Sequence, residues 1–239
     1  MDKTIPTLEK AISEIPDGAQ IMIGGFGGSG APIELIHALI DRFRATGSPK
    51  NVTVINNNAG NGFIGIAAMI KAGMVGKMIC SFPRSSNGEA FNEKYLAGDI
   101  ELELVPQGTL AERIRAAGAG IPAFYTPSSF GTELANGKPT EEFEGKSYVR
   151  EHWLKADFAL IKGQEGDTVG NLTYRLAGRN FNPLMAMAAD KTIAQVSVLG
   201  AAGTINPEQV ITPGIFVDAV VEVSNPQQEE VLVRTGEVH

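Results

Sequence analysis

The sequence predicts an α/β protein in which helices cover both faces of an open, mostly parallel β-sheet, so that one domain has three layers. Short apolar runs typical of buried strands alternate with segments whose apolar residues recur at helical spacing. Loops rich in glycine or amide side chains follow three of the predicted strands. Because the carboxyl ends of parallel strands meet at one edge of a sheet, we expect these loops to share one rim, where open α/β sheets bind ligands.

The first half of the chain alternates regularly between the two kinds of element. A short amphipathic helix over residues 7–15 comes first, and the turn pair Asp17-Gly18 then leads into the opening strand. Gly47 and Gly98 are plausible helix stops. The predicted strands are 19–23, 52–55, 77–82 and 100–105, and the predicted helices that follow them are 32–46, 64–72, 87–96 and 110–115.

Glycine dominates the loop after the first strand, where five of the seven residues from Gly24 to Gly30 are glycine. Backbone N–H groups without neighbouring side chains can approach an anion at the start of a helix. A purely structural tight turn would select the same residues, because glycine tolerates positive φ. The letters fit the dinucleotide pattern GxGxxG only weakly, and Ala-Pro follows Gly30 where a phosphate loop needs Lys-Ser/Thr. Pro32 suits a first helical position.

Amide side chains mark the other two strand-to-helix junctions. Asn56-Asn-Asn-Ala-Gly-Asn-Gly62 follows the second strand, and Gln107 lies between the fourth strand and its helix. Consecutive asparagines favour turns, and they also place several donors and acceptors at a strand's carboxyl end. A capped structural loop and a ligand-contacting loop are both compatible with the asparagine run.

In the second half, from Gly118 onward, the sequence becomes rich in glycine, proline and aromatic residues. Residues 121–150 are predicted to leave the sheet as a small excursion that includes a polar hairpin with Gly145 at its turn. The main sheet resumes with predicted strands at 156–161, 172–174, 192–198, 210–217 and 219–223, and a helix rich in methionine and alanine is predicted over 183–189. We assign residues 1–223 to the domain and residues 224–239 to a polar, loosely held C-terminal tail.

Composition narrows the class of protein. A net charge of −7 without a long basic run argues against a nucleic-acid partner. No apolar stretch reaches the roughly 20 residues that a membrane helix requires, and the N-terminus lacks the pattern of a signal peptide. The single cysteine, Cys80, suits a reducing compartment and is expected to be buried and unreactive. These observations predict a soluble cytoplasmic protein.

Catalytic machinery is hard to find in this sequence. The three histidines, His37, His152 and His239, belong to no paired ligand motif, so we expect no metal site. Neither a Gly-x-Ser-x-Gly elbow nor a Cys/His pair is present to suggest nucleophilic hydrolysis. The residues alone therefore indicate a ligand-binding rim that lacks an evident nucleophile or acid–base pair.

The same loops carry a resemblance to a known family. Asp17-Gly-x-x-Ile-Met-Ile-Gly-Gly-Phe-x-x-x-Gly-x-Pro32 resembles the first signature of the family I coenzyme A transferases. The likeness continues along nearly the whole chain and is that of the alpha-subunit type of the 3-oxoacid CoA-transferases. Its other motifs are Asn57-Asn-Ala-Gly60, Val105–Arg115, Gly120–Tyr125, Asp157–Lys162, Gly170–Tyr174 and Arg179–Asn182.

The resemblance implies an enzyme that is completed by a second chain, the beta subunit, in a heterodimer or a heterotetramer. In this family a glutamate of the beta subunit, within a Ser-Glu-Asn-Gly motif, attacks the donor thioester and becomes a glutamyl-CoA thioester. That motif is absent here, and Ser86-Asn-Gly-Glu89 holds its letters in another order, so Glu89 is not expected to be catalytic. Coenzyme A is implied as a substrate, with no tightly bound cofactor. The fold implied is shared with sugar-phosphate isomerases.

Site residues are carried over from the family position by position. The implied CoA-binding stretch comprises Gly24, Gly25, Phe26, Gly27, Gly28, Ser29 and Gly30. The implied substrate pocket comprises Asn57, Asn58, Phe82, Arg84 and Gln107. Within the pocket, Arg84 is a hypothetical partner for a distal carboxylate, which a guanidinium can grip with two hydrogen bonds.

The acceptor is the least constrained part of this interpretation. The asparagine run and Cys80-Ser-Phe-Pro-Arg84 are most similar to family members that transfer CoA from succinyl-CoA to 3-oxoadipate in aromatic degradation. Acetoacetate or another short 3-oxoacid is the first alternative. A non-catalytic module that binds CoA or a sugar phosphate is the second alternative, and it predicts ligand binding without a partner.

Overall fold

A computed structural model describes residues 1–83 and 88–235. The helices are α1 (Leu8–Ala11), α2 (Ile33–Thr46), α3 (Ile66–Ala72), α4 (Glu89–Leu96), α5 (Gln107–Gly118), α6 (Asn182–Ala188) and α7 (Gln227–Thr235). The strands are β1 (Gln20–Ile23), β2 (Val52–Ile55), β3 (Val75–Cys80), β4 (Glu101–Leu104), β5 (Ala123–Thr126), β6 (Thr140–Phe143), β7 (Lys146–His152), β8 (Ala156–Asp167), β9 (Ala189–Gly200) and β10 (Ala219–Glu222).

Seven strands form the main sheet in the order β10-β9-β8-β1-β2-β3-β4, and every adjacent pair is parallel. The chain starts at the centre with β1, builds outward through β4, and returns to the other side of β1 with β8. Ile21 therefore pairs with Val54 on one side and with Phe158 on the other. The predicted open parallel sheet is confirmed, and its topological switch point lies between β1 and β8.

Alternation along the strands divides the core into two layers. Ile21 and Ile23 pack into a cluster with α2 and α3, whereas Met22 packs on the opposite face with α5 and α6. All three side chains are fully buried. Burial of one large apolar side chain stabilises a fold by about 1.5–3 kcal/mol, and both layers are built from many such residues. The predicted three-layer α/β/α arrangement is therefore confirmed.

A small antiparallel sheet, in the order β5-β7-β6, stands apart from the main sheet. β6 and β7 form a hairpin whose two-residue loop, Glu144-Gly145, has positive φ at both positions (52° and 75°). Positive φ at both central residues is the requirement of the tight turn that matches strand twist. The predicted hairpin with Gly145 at its turn is confirmed, and the structure adds β5 as a third strand.

Several boundaries differ from those predicted. The first helix is shorter, and Ile12 and Ile15 are buried beyond its end. Pro32 is the residue before α2 and not its first helical residue. Between residues 210 and 217 the expected strand is absent, because Pro213-Gly214 diverts the chain into a short 3-10 turn, Gly214–Phe216. Leu172 makes isolated bridges to neighbouring backbone in place of a regular strand.

The C-terminal segment departs furthest from expectation. Where we predicted a loosely held tail, residues Gln227–Thr235 form helix α7. Glu34, which is buried in α2, accepts hydrogen bonds from the backbone N–H groups of Gln228 (2.7 Å) and Glu229 (3.0 Å). A carboxylate at a helix N-terminus satisfies exposed N–H groups and interacts favourably with the helix dipole. Among the described residues, no helix is both long enough and apolar enough to span a bilayer.

Candidate functional site

The glycine loop turns back on itself directly after β1. Phe26 and Ser29 exchange two backbone hydrogen bonds of 3.0 Å, and Gly27 and Gly28 form the turn between them. Their φ angles of 57° and 87° lie in the left-handed region, which side chains disfavour. A two-residue turn of this kind explains the central pair of glycines without reference to a ligand.

Two other glycines of the loop are required by close packing. A Cβ on Gly24 would lie 1.8 Å from Oδ1 of Asn182, and a Cβ on Gly30 would lie 2.3 Å from the carbonyl oxygen of Gly178. Both distances are far below van der Waals contact. The glycines therefore allow the loop to lie against the segment that precedes α6, which is a structural role.

Asn180 and Asn182 hold the glycine loop in place. Asn180 Nδ2 donates to the Ser29 carbonyl oxygen (2.9 Å), and Asn180 Oδ1 accepts from the Gly25 N–H (3.2 Å). Asn182 is fully buried, and its Nδ2 donates to the Gly30 carbonyl oxygen at 3.0 Å. The two side chains thereby fix both ends of the loop from a part of the chain about 150 residues away in sequence.

The loop nevertheless keeps polar groups available. Across residues 1–83 and 88–235, the N–H groups of Gly27, Gly28 and Gly30 donate to no other protein group. Backbone N–H groups held rigidly without partners are suited to binding an anionic oxygen. The structural and ligand-binding interpretations of the loop are therefore compatible, because different atoms serve each.

The asparagine run forms a sequence of side-chain-to-backbone turns. Asn56 is buried, donating from Nδ2 to the Ile23 carbonyl oxygen (2.6 Å) and accepting at Oδ1 from the Asn58 N–H (3.0 Å). Asn58 Oδ1 accepts in turn from the Gly60 N–H at 2.7 Å. These bonds favour the capped-loop interpretation of the run, and they tie the end of β2 to the end of β1.

Gln107, which follows β4, is linked to the asparagine run through Ser81, which follows β3. Oγ of Ser81 lies 2.9 Å from both the Asn57 carbonyl oxygen and Oε1 of Gln107. Phe82 pairs with Asn58 through a backbone bridge, and the residue is 60% exposed. The structure thus brings Asn57, Asn58, Phe82 and Gln107 together on one rim. Arg84, the remaining predicted pocket residue, lies outside the described residues.

Two titratable groups near the rim are held in their neutral forms. Burial raises the pKa of the Cys80 thiol to about 12, and the side chain is fully buried, so the predicted burial of this cysteine is confirmed. Burial also raises the pKa of Tyr174 to about 12, and its hydroxyl shares a 2.6 Å hydrogen bond with Oγ1 of Thr212. Neither group is a thiolate or phenolate nucleophile at neutral pH.

Cavities flank the glycine loop on both sides. On the β2 side a small cavity of about 50 Å³ is lined by the loop, by Asn56 and Asn58, and by the start of α3. On the β8 side a larger, polar cleft of about 450 Å³ is lined by Gly28–Gly30, Lys162, Arg175 and Glu229 of α7. The loop is therefore the shared wall of two sites at the carboxyl ends of the strands.

Comparison with known proteins decides the family. The family model described as coenzyme A transferase matches residues 5–223. The chain belongs to this family. It is 57% identical over 225 residues to the A subunit of 3-oxoadipate CoA-transferase from Acinetobacter baylyi, covering 94% of this chain and 96% of that protein. It is 56% identical over 224 residues to the protein of the same name from Pseudomonas putida, with 94% and 95% covered.

A relative that bears a different name is less similar to this coenzyme A transferase. The A subunit of succinyl-CoA:3-ketoacid coenzyme A transferase from Xanthomonas campestris pv. campestris is 47% identical over 225 residues, with 93% of this chain and 90% of that protein covered. All three relatives are A subunits by name, which implies that each has a partner subunit. The resemblance identified from the sequence motifs is confirmed.

A solved structure shows the same fold at low sequence identity. An acyl-CoA transferase from E. coli O157:H7 (YdiF), in a thioester complex with CoA, superposes with a TM-score of 0.81 at 23% identity. The match covers 95% of this chain and 48% of that one, so the present chain spans about half of its length. At this identity the likeness supports the fold alone.

The two asparagines that hold the glycine loop in place were not identified as site residues from the sequence. Asn180 and Asn182 lie in the string Arg179–Asn182, which contributed to the family resemblance but suggested no role. That string was one of several motifs that together carried the family resemblance, and nothing in it indicated a contact with the glycine loop. Their contacts to the loop became evident only when the fold placed the two segments together.

Proposed function

We propose that this chain is the alpha subunit of a transferase that moves CoA from succinyl-CoA to 3-oxoadipate. The observation that carries the proposal is the difference in similarity between relatives. The chain is 57% identical to a 3-oxoadipate enzyme and 47% identical to a 3-ketoacid enzyme, over 225 residues in both cases. The single buried cysteine is compatible with the cytoplasmic location that we infer for such a protein.

In the proposed reaction the covalent steps take place on a glutamate of the partner subunit. Its carboxylate attacks the succinyl-CoA carbonyl carbon, the C–S bond breaks, and CoA leaves as a thiolate while a mixed anhydride forms. The thiolate then attacks the glutamyl carbonyl, which releases succinate and leaves a glutamyl-CoA thioester. The acceptor carboxylate reverses these two steps and departs as its CoA thioester.

Residues of this chain are proposed to bind and orient the reacting groups. Oε1 of Gln107 lies beside the Ser81 hydroxyl, and in the described part of the chain its Nε2 donates to no group. That amide is therefore available as a donor to developing negative charge near the reacting carboxylate. Donors of this kind are most effective when they are held in position before the reaction. The hydrogen bond from Ser81 to Oε1 of Gln107 holds the Gln107 amide in this way.

The rim is also the surface that we propose the partner subunit covers. Phe26, Phe63 and Phe82 follow the ends of three neighbouring strands and are 44%, 62% and 60% exposed. Aromatic residues are enriched at protein–protein interfaces relative to the rest of the surface. A partner docked on this rim would place its own residues against the glycine loop and Gln107.

The experiment that tests the proposal measures CoA transfer from succinyl-CoA to 3-oxoadipate and to acetoacetate. The chain is assayed alone and after co-expression with a beta-type subunit of the same transferase family. We expect activity only in the mixture, with the higher kcat/KM for 3-oxoadipate. Higher kcat/KM for acetoacetate would move the assignment to the 3-ketoacid enzymes. Ligand binding by the chain alone, without activity in either sample, would favour the binding-module alternative.

Arg84 remains a proposed partner for the distal carboxylate of 3-oxoadipate. Removal of a bidentate arginine contact should raise KM for the dicarboxylate by about tenfold and leave KM for acetoacetate unchanged. The variant is Arg84→Ala, and Arg44→Ala, an exposed position on α2, is the matched control. An unchanged KM for 3-oxoadipate would remove Arg84 from the pocket.

A further inference from the structure

The larger cleft beside the glycine loop lies at the topological switch point of the sheet. β1 and β8 are adjacent parallel strands whose connections run in opposite directions, and Ile23 pairs with Leu160. Lys162, two residues further along β8, is therefore level with Gly25 at the start of the glycine loop. Open α/β sheets place ligands in the crevice at this position.

Positive charge and unpaired backbone donors converge on this cleft. Lys162 and Arg175 both line it, opposite the Gly28–Gly30 segment of the loop. Arg175 has no ion-pair partner within residues 1–83 and 88–235. The N–H groups of Gly28 and Gly30 are also without partners in the described chain. Such donors are complementary to a carboxylate or a phosphate group.

Lys162 is held in position by the same residue that holds the loop. Its backbone N–H donates to Oδ1 of Asn182 at 3.1 Å. Its side chain is 18% exposed and forms an ion pair with Glu229 of α7. The cleft therefore already contains one carboxylate, supplied by the C-terminal helix of the chain itself.

That carboxylate is incompletely satisfied. Oε2 of Glu229 is buried and has no hydrogen-bond partner in the described chain, although Oε1 pairs with Lys162. A buried carboxylate oxygen without a donor is unfavourable. α7 has only nine residues, and helices of that length are marginal on their own. Among the described residues the Glu229 carboxylate is thus held only by Lys162, whereas the backbone of α7 is also capped by Glu34.

We propose that the cleft between the glycine loop, β8 and α7 is a binding site for an anionic oxygen group, a carboxylate or a phosphate, and that Glu229 is its built-in competitor. A ligand that displaces Glu229 gains the Lys162 cation and also reaches Arg175 and the free N–H groups of the loop. Ligand binding is therefore coupled to release of α7 from the cleft. The choice of probes, although not the geometry, rests on the proposed function.

The test uses direct binding, so that it does not depend on transfer activity. Succinate, a dicarboxylate, and adenosine 3′,5′-bisphosphate, which carries the phosphate chemistry of CoA, are titrated calorimetrically at low ionic strength. The variants are Lys162→Met, Lys162→Arg and Glu229→Gln, each with circular dichroism to check folding. Glu230→Gln is the matched control, because Glu230 is an exposed neighbour on the same helix.

We expect Glu229→Gln to bind one of the probes about fivefold more tightly than the unmodified protein, the factor corresponding to an ion pair of about 1 kcal/mol. Glu230→Gln should match the unmodified protein, Lys162→Arg should retain binding, and Lys162→Met should lose it. The probe that binds identifies the source of the anion. Equal affinities of the unmodified protein and Glu229→Gln, binding by Lys162→Met, or no binding of either probe would overturn the proposal.

Release of the helix gives a second, independent measurement. Arg234 is an exposed residue of α7 and a site for trypsin. The probe that binds should accelerate cleavage after Arg234 at least twofold, and Glu229→Gln should be cleaved faster than Glu230→Gln without any probe. Protection of Arg234 by the bound probe would show that the ligand does not displace the helix, and the competitor mechanism would be rejected.

Discussion

Replacement of Asn182 is expected to detach the glycine loop from the segment that supports it. Asn182 is fully buried at the start of α6, and its side chain contacts three separate pieces of backbone. Nδ2 donates to the carbonyl oxygens of Gly30 (3.0 Å) and Gly178 (2.8 Å), and Oδ1 accepts from the Lys162 N–H (3.1 Å). Asn182→Ala removes all three hydrogen bonds, so the two carbonyl oxygens and the Lys162 N–H each lose this partner.

The expected loss of stability follows from this count. Each hydrogen bond contributes about 1 kcal/mol net, so three bonds amount to about 3 kcal/mol. With a urea m value of about 3 kcal/mol per M, the unfolding midpoint should fall by about 1 M. Asn182→Asp should be at least as harmful, because a carboxylate oxygen would face the carbonyl oxygens of Gly30 and Gly178.

The assay is urea unfolding followed by circular dichroism, with Asn206→Ala as the matched control. Asn206 is exposed and accepts one hydrogen bond, from the Glu208 N–H at 3.0 Å, so its replacement should cost about 1 kcal/mol. In the assembled enzyme Asn182→Ala should also lower kcat/KM by at least about tenfold, since the loop is no longer fixed. A midpoint shift no larger than that of Asn206→Ala would refute the positioning role.

Three further predictions concern single residues. Gly30→Ala should destabilise the protein more than Gly47→Ala in urea unfolding: the two glycines have similar positive φ angles (70° and 76°), but only at Gly30 would Cβ meet backbone. Burial lowers the pKa of His37, whose Nε2 accepts from the Gly65 N–H, so the unfolded chain binds more protons in acid and stability should fall as pH drops below about 6.5. His37→Gln should flatten that pH dependence, and an unchanged slope would contradict it. A thiol reagent should label Cys80 only at the unfolding transition, and rapid labelling of folded protein would contradict its burial.

The sequence predicted the sheet well because the relevant signals are local. The strands at the centre of the sheet, such as β1 and β2, are short runs of mainly apolar residues, and burial on both faces is what such runs require. The three rim loops were correctly expected to share one edge, since that follows from parallel strands alone. Successive side chains of a strand point to opposite faces of the sheet. Met22 therefore packs on one face, and Ile21 and Ile23 pack on the other.

Contacts between distant segments could not be predicted in this way. The bonds from Asn180 and Asn182 to the glycine loop span about 150 residues, and the bond from Glu34 to α7 spans more than 190. α7 was expected to be a loose tail because its sequence is polar. Polarity alone does not show that Glu34 and Lys162, which are distant in sequence, bind the N-terminal residues of this helix. The burial of Glu34 could not be predicted either, because an acidic residue in the first turn of a helix normally faces solvent.

In the proposed enzyme, this chain binds and orients the substrates while a partner subunit supplies the nucleophile. The most direct measurement is mass spectrometry of the separated chains once the assembled enzyme has reacted with succinyl-CoA without acceptor. We predict that the CoA adduct is found on a glutamate of the partner subunit and that this chain keeps its unmodified mass. An adduct on a glutamate of this chain would contradict the account.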